Sequence, residues 1–155
     1  MKSEFIVNQA TVEVPLCGET YIARSNLVRV RIRCCQPAKV CLRAKKVVCG
    51  TCLCARQFQF AVCDQSGKEV ARATNDRNGN VVFPHLTFEQ VGVYVYAMQE
   101  INKPRRNWIL DCRCYPVIAT VFDSGQGKLA VTVSYPCGSP VFVNRYCPKT
   151  CLHLK

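Results

Sequence analysis

The sequence predicts an all-β protein built as a sandwich of short strands. Apolar and polar residues alternate with a period of two in several segments, and no apolar run keeps the helical spacing i, i+3, i+4, i+7 for more than two turns. Turn-forming clusters separate these segments, among them residues 64–67, 75–80 and 123–127. The length of 155 residues suits one domain with a buried core and a short accessory segment.

Each predicted strand follows from its own alternation. In the first clear strand, Val28, Val30 and Ile32 alternate with arginines. In the segment 40–49, Lys46 shares a face with apolar residues, and Lys45 lies on the other face. Further strands are predicted at 58–62, 81–83, 93–100, 109–122, 128–135 and 142–146.

Three of the predicted apolar faces each contain one polar residue: Lys46, Glu100 and Asn144. Burying an unpaired charge is expensive, so such side chains either reach water at a strand end or pair with one another. If the three converge, burial favours a neutral amine beside a carboxylic acid. The amine would attack the Asn144 carboxamide, while Glu100 protonates the carboxamide oxygen and relays a proton to the leaving ammonia. The product is an amide between two side chains.

The stretch from about Lys39 to Pro148 resembles the isopeptide-linkage domain of Gram-positive major pilins, which is FctA-like. The matching pieces are KVVCG, QFQFAV, SGKEVARATNDRNGNVVFPHLTFEQVGVYVYAMQE, GKLAVTV and VFVNRY. The resemblance implies a Greek-key, immunoglobulin-like sandwich of the CnaB type at 37–148. Residues 1–36 are then an N-terminal β extension, made of extra strands or an assembly arm, and 149–155 form a tail.

The resemblance also implies roles for the three polar residues. Lys46 and Asn144 correspond to the partners of an intramolecular isopeptide bond, and Glu100 corresponds to the acid and base of that autocatalytic reaction. Lys45 is the alternative nucleophile, but it lies on the opposite strand face. The expected function is a structural subunit of an extracellular fibre or surface layer, pilus-like or on a spore surface, which assembles as a homopolymer. It is not expected to be an enzyme or to need a cofactor.

Thirteen cysteines are a high and odd number for this length. Short spacings such as Cys112-x-Cys114 leave zinc and reduced thiols as alternatives, but disulfides are favoured and no metal site is predicted. Some cysteines, such as Cys63 and Cys112, are alternatively small buried apolar residues. The candidates for disulfides between subunits are Cys34, Cys35, Cys147 and Cys151.

The net charge of +11 is concentrated early in the chain, because no Asp or Glu occurs between Glu19 and Asp64. The stripe of Arg29, Arg31 and Arg33 suggests the alternative function, a surface binding module that grips an anionic polymer. Nucleic acid is not favoured because aromatic residues are scarce there. No membrane span and no secretory signal are visible, and the expected location is extracellular or on a cell or spore surface.

Overall fold

The structure is a computed structural model that describes residues 4–17, 19–26, 28–32 and 35–149. These residues form fifteen β-strands and no helix, which confirms the all-β prediction. Nothing in this part of the chain is a helix long and apolar enough to cross a membrane. The chain divides into two compact units, Met1–Gln36 and Pro37–Lys155.

The first unit consists of two separate antiparallel strand pairs. Strand β1 (Glu4–Asn8) pairs with β4 (Val28–Ile32), and β2 (Thr11–Leu16) pairs with β3 (Glu19–Arg24). Every side chain of β2 and β3 that the structure describes is exposed. This hairpin therefore has no buried core within its described side chains, and two-stranded hairpins without a core are marginally stable.

The second unit contains the sandwich. One sheet has five strands in the order β14–β13–β11–β7–β8, formed by Leu129–Ser134, Cys114–Asp123, Gly92–Glu100, Gln59–Cys63 and Glu69–Thr74. The other has four strands in the order β12–β15–β6–β9, formed by Trp108–Ile109, Val141–Tyr146, Arg43–Cys49 and Asn80–Val82. A short antiparallel pair joins β5 and β10, which are Ala38–Val40 and Leu86–Phe88.

Aromatic contacts between the two sheets mark the core. The ring of Phe60 on β7 lies 5.2 Å, centroid to centroid, from that of Phe142 on β15. The ring of Tyr115 on β13 lies 5.1 Å from the same phenylalanine in an edge-to-face arrangement. Phe60 and Phe142 are fully buried, so the apolar faces predicted from the alternation meet in one core.

The pairing of β6 with β15 is parallel, whereas all other pairings in the described part of the chain are antiparallel. In this register Lys46 lies opposite Phe142, and Val48 lies opposite Asn144. These side chains point to the core side of the sheet. Lys46 and Asn144 are consequently diagonal neighbours on adjacent strands, although they are far apart in sequence.

Two predicted strands are each divided in the structure. The segment 40–49 forms β5 and β6, which belong to different sheets and are separated at Cys41–Leu42. The segment predicted at 109–122 forms β12 and β13, separated by residues 110–113. In the second case Asp111 accepts a hydrogen bond from the backbone N–H of Arg113, and this local turn competes with strand pairing.

Candidate functional site

Lys46, Glu100 and Asn144 come together in the sandwich interior. Lys46 and Asn144 are 1% and 0% exposed, and the Glu100 side chain is 1% exposed. Lys46 is supplied by β6, Glu100 by the last residue of β11, and Asn144 by β15. The two sheets therefore contribute to one site, with the carboxylate on one sheet and the amine and carboxamide on the other.

The Glu100 carboxylate bridges the other two side chains. Lys46 Nζ donates a hydrogen bond to Glu100 Oε2 at 2.5 Å. Asn144 Nδ2 donates to Glu100 Oε1 at 2.7 Å. These are short, charge-assisted contacts of the kind that holds polar groups in a dry interior. One acid thus contacts both the nitrogen that would attack and the nitrogen that would leave.

Asn102 is a fourth member of this network that the strand pattern did not indicate. Its Nδ2 donates to Glu100 Oε1 at 2.8 Å, and its Oδ1 accepts from the backbone N–H of Gln59 at 3.1 Å. It lies just beyond the end of β11, outside any alternating segment. In the described part of the chain, each buried side-chain nitrogen and oxygen has a hydrogen-bond partner.

The surroundings of the Lys46 amine are aromatic. Lys46 Nζ lies 4.6 Å from the ring centroid of Phe58 and 5.9 Å from that of Phe60. Burial lowers the pKa of the Lys46 amine below its ordinary value, although the hydrogen bond and charge of Glu100 oppose this. The site therefore makes loss of the ammonium proton easier than it is in water.

The carboxamide oxygen of Asn144 has a different partner from the one expected. Asn144 Oδ1 accepts a hydrogen bond from the backbone N–H of Asp111 at 2.8 Å. Glu100 contacts the carboxamide nitrogen instead. The expectation that Glu100 protonates the oxygen does not fit this geometry, because Glu100 Oε2 contacts Lys46 Nζ and Oε1 contacts Asn144 Nδ2.

Asp111 is itself held firmly. Its side chain is 5% exposed, and Oδ2 accepts from the backbone N–H of Val143 at 2.7 Å and from an Arg113 guanidinium N–H at 2.6 Å. Burial alone would raise the pKa of the Asp111 carboxyl. The hydrogen bonds from Arg113 and Val143 outweigh burial and lower that pKa to about 2.

A glycine turn positions the lysine strand. The backbone N–H of Lys46 donates to the carbonyl of Gly79 at 2.6 Å. Gly79 has φ +83°, and a Cβ there would collide with the carbonyl oxygen of Lys46. Only glycine meets both conditions without strain, so the turn can approach the strand closely.

Lys45 lies on the exposed face of β6. Its Nζ donates to the carbonyl of Asn78 at 2.7 Å and to Asn80 Oδ1 at 3.3 Å. It has no contact with the buried carboxamide. The two candidate nucleophiles are therefore separated onto opposite faces of one strand.

The cysteines occupy mostly exposed positions. Of the four candidates for bonds between subunits, Cys147 is exposed and Cys35 is half-buried, while Cys34 and Cys151 lie outside the described residues. No disulfide joins any two of the eleven cysteines that the structure describes. Cys63 is half-buried. Cys112 is exposed, so the interpretation of Cys112 as a buried packing residue is wrong.

Within residues 4–149, apart from the gaps given above, no group of three or more His, Cys, Asp and Glu residues is arranged to hold a metal ion. For the basic stripe, the backbone places Arg29 and Arg31 on β4, opposite Val7 and Phe5 of β1. Arg33 lies outside the described residues.

The fold and the site define an all-β, pilin-type sandwich with a buried lysine, glutamate and asparagine. A family profile described as FctA, the Spy0128-like isopeptide containing domain, matches residues 42–147. This is more than half of the 155-residue chain, so the chain belongs to the FctA family. No curated protein matches the chain. Membership in the family makes it a pilin-like structural protein, and pilin domains are surface domains that typically form polymeric fibres.

Proposed function

We propose that this chain is a structural subunit of an extracellular fibre or surface layer, pilus-like or on a spore surface. Its sandwich would be closed by an autocatalytic isopeptide bond between Lys46 Nζ and Asn144 Cγ. One observation carries the proposal: the buried Glu100 carboxylate accepts hydrogen bonds from both the Lys46 amine and the Asn144 carboxamide nitrogen.

The reaction begins with a proton transfer from the Lys46 ammonium to Glu100 Oε2, which leaves a neutral amine and a neutral acid. Burial lowers the pKa of Lys46 and favours this transfer. The amine then attacks Asn144 Cγ, a new N–C bond forms, and the carbonyl electrons move to Oδ1. Glu100 donates its proton to Nδ2 and takes one from the attacking nitrogen. When the C–Nδ2 bond breaks, one ammonia leaves and Glu100 is again protonated.

Fixed geometry supplies most of the acceleration. An amide resists amines in water, but effective molarities for well-oriented groups reach about 10⁵ M or more. Here both reacting side chains are held by the same carboxylate in an interior from which water is excluded. Each chain reacts once and modifies only itself, so the reaction strengthens a structure rather than turning over an external substrate.

The cysteines suit covalent contacts between subunits. Cys147 is exposed directly after β15, the last strand. In an oxidising extracellular setting, such thiols form disulfides. We assign Cys34, Cys35, Cys147 and Cys151 to bonds between copies of this chain, which would add reducible links to the non-reducible bond inside each sandwich.

Intact mass after full reduction and alkylation tests the internal bond. The wild-type chain is expected to weigh one ammonia less than its sequence mass, and Glu100→Ala is expected to keep the full mass. Lys45→Ala is the matched control, because it removes an exposed lysine from the same strand and should still lose ammonia. A wild-type chain of full mass would refute the isopeptide bond.

Gel electrophoresis without reductant tests the assembly. The fibre proposal predicts a ladder of oligomers that collapses to monomer when reductant is added. A clean monomer that binds an anionic polymer with an affinity falling steeply with salt would instead support the binding module.

A further inference from the structure

The Asn144 carboxamide is held at both of its polar ends. Its Oδ1 accepts the Asp111 backbone N–H at 2.8 Å, and its Nδ2 donates to Glu100 at 2.7 Å. These two contacts distinguish Oδ1 from Nδ2, since a backbone N–H can only donate and an ionised carboxylate can only accept. The oxygen therefore faces a hydrogen-bond donor and the leaving nitrogen faces the acid.

We propose that the backbone N–H of Asp111 is the group that stabilises the oxyanion during isopeptide formation, and that the side chains of Asp111 and Arg113 position it. The inference rests on the proposed function. Negative charge develops on Oδ1 when the Lys46 amine attacks, and a fixed donor at hydrogen-bond distance lowers the energy of that state. Glu100 is then free to exchange protons between the two nitrogens alone.

The chain path explains why this N–H is available. Strand β12 is antiparallel to β15, with Ile109 opposite Arg145, and continuing this register would place Asp111 opposite Val143. Regular pairing stops after Ile109. The backbone N–H of Val143 is instead bonded by the Asp111 carboxylate, at 2.7 Å. The side chain thus takes the role of a strand carbonyl, and the Asp111 N–H turns to the Asn144 side chain.

Arg113 fastens the same segment to β15. One guanidinium nitrogen donates to Asp111 Oδ2 at 2.6 Å and to the carbonyl of Val141 at 2.7 Å. The backbone N–H of Arg113 also donates to Asp111 Oδ1 at 2.9 Å. Asp111 is therefore tied to β15 directly at Val143 and, through Arg113, at Val141, which leaves its N–H little freedom to move away from the carboxamide.

Replacing the amide at position 111 with an ester tests the N–H directly. Cell-free translation with the α-hydroxy analogue of aspartate removes this one hydrogen and keeps every side chain. Reduced samples from a short translation pulse, acid-quenched at intervals after synthesis is stopped, give the rate of ammonia loss by mass. We expect the ester chain to form the bond about 10²- to 10³-fold more slowly than wild type, as for loss of one oxyanion donor.

The matched control is an ester at Gly125, whose N–H donates to Asp123 Oδ1 at 2.8 Å in an exposed turn. It should react at the wild-type rate. An Asp111 ester that folds and bonds as fast as this control would overturn the inference and leave the isopeptide bond intact. A wild-type chain that never loses ammonia would instead refute the proposed function itself.

The positioning role is tested with Arg113→Ala, compared with Arg72→Ala. Arg72 makes a similar two-pronged contact with Glu69, on β8 at the edge of the other sheet. Trp108 fluorescence follows folding, and mass follows the bond. Arg113→Ala is expected to slow bond formation about tenfold or more after folding is complete, and Arg113→Lys to restore part of the rate. Equal rates in the two alanine variants would overturn the positioning role, and this comparison decides the matter if the ester chain does not fold.

Discussion

The two faces of strand β6 carry the same side chain in opposite surroundings. Lys45 is exposed and donates to the carbonyl of Asn78 and to Asn80. The Lys46 side chain is 0% exposed and contacts Glu100 and the ring of Phe58. Lys45 keeps its hydration shell, whereas burial lowers the pKa of Lys46. Strand phase, rather than residue type, therefore decides which amine faces the buried carboxylate.

The largest expected difference between the two faces comes from removing each lysine. Lys46→Ala should abolish ammonia loss and also leave the buried Glu100 carboxylate without its counterion, which costs about 3–5 kcal/mol of unfolding free energy. Lys45→Ala should keep the bond and change stability by less than about 1 kcal/mol. Mass and chemical denaturation measure both effects. Equal losses in the two variants would contradict the contrast between the faces.

A double substitution separates the cost of leaving one buried charge unpaired from the net contribution of the Lys46–Glu100 pair to stability. Lys46→Met combined with Glu100→Leu forms no isopeptide bond. It should nevertheless be about 3–5 kcal/mol more stable than Lys46→Met alone, since no buried charge remains unpaired. A double-mutant cycle by chemical denaturation gives the coupling energy. A double variant less stable than both single variants would show that the interior requires polar groups for packing.

Alanine substitutions at two glycines with nearly the same φ test whether the close approach of the Gly79 turn to strand β6 matters. Gly67 has φ +82° and open space around its Cα, so Gly67→Ala should cost about 1–2 kcal/mol for the left-handed conformation alone. Gly79→Ala should cost more, because its Cβ would meet the Lys46 carbonyl oxygen. It should also slow bond formation. Thermal unfolding and the mass time course measure the two effects, and similar behaviour of both variants would remove the role of Gly79.

Acid should lower the free energy of unfolding by a smaller amount, because it protonates the Asp111 carboxylate. The folded-state pKa of Asp111 is lowered from 3.8 to about 2, so its stabilisation is fully present above about pH 4 and is lost as the pH falls through 2. The amount is about 2 kcal/mol at most. Asp111→Asn should remove this pH dependence. Asp76, in the exposed turn beside Lys45, also has a lowered pKa, so Asp76→Asn should remove only its own contribution and leave that of Asp111 in place. Denaturation at several pH values between 2 and 5 measures the difference.

Strand alternation was sufficient to select Lys46, Glu100 and Asn144, because each interrupts an apolar face that the core requires. The same pattern could not indicate Asn102 or Asp111. Both lie where strands end, so no alternation of apolar and polar residues marks their side chains. Nor could alternation assign the partner of Asn144 Oδ1, since that partner is a main-chain N–H that any residue would supply.

Two of the strands that the pattern missed, β8 and β10, give an alternation that is weak or short. In β8 the inward residues are Ala71 and Ala73, whose small side chains hardly differ in hydropathy from their neighbours. Strand β10 has only three residues. The division at 41–42 depends on a contact with a distant part of the chain, the bond from the Phe83 N–H to the carbonyl of Leu42. The division at 110–113 goes with the local turn at Asp111.

The parallel pairing of β6 with β15 sets how the sandwich would resist stretching. A pull applied before β6 and after β15 acts on opposite ends of two strands that run the same way. Their hydrogen bonds are then sheared together instead of opening one at a time. The proposed covalent link between Lys46 and Asn144 would lie between these two strands. Residues 47–143 would then carry no load, and the subunit would not lengthen under tension.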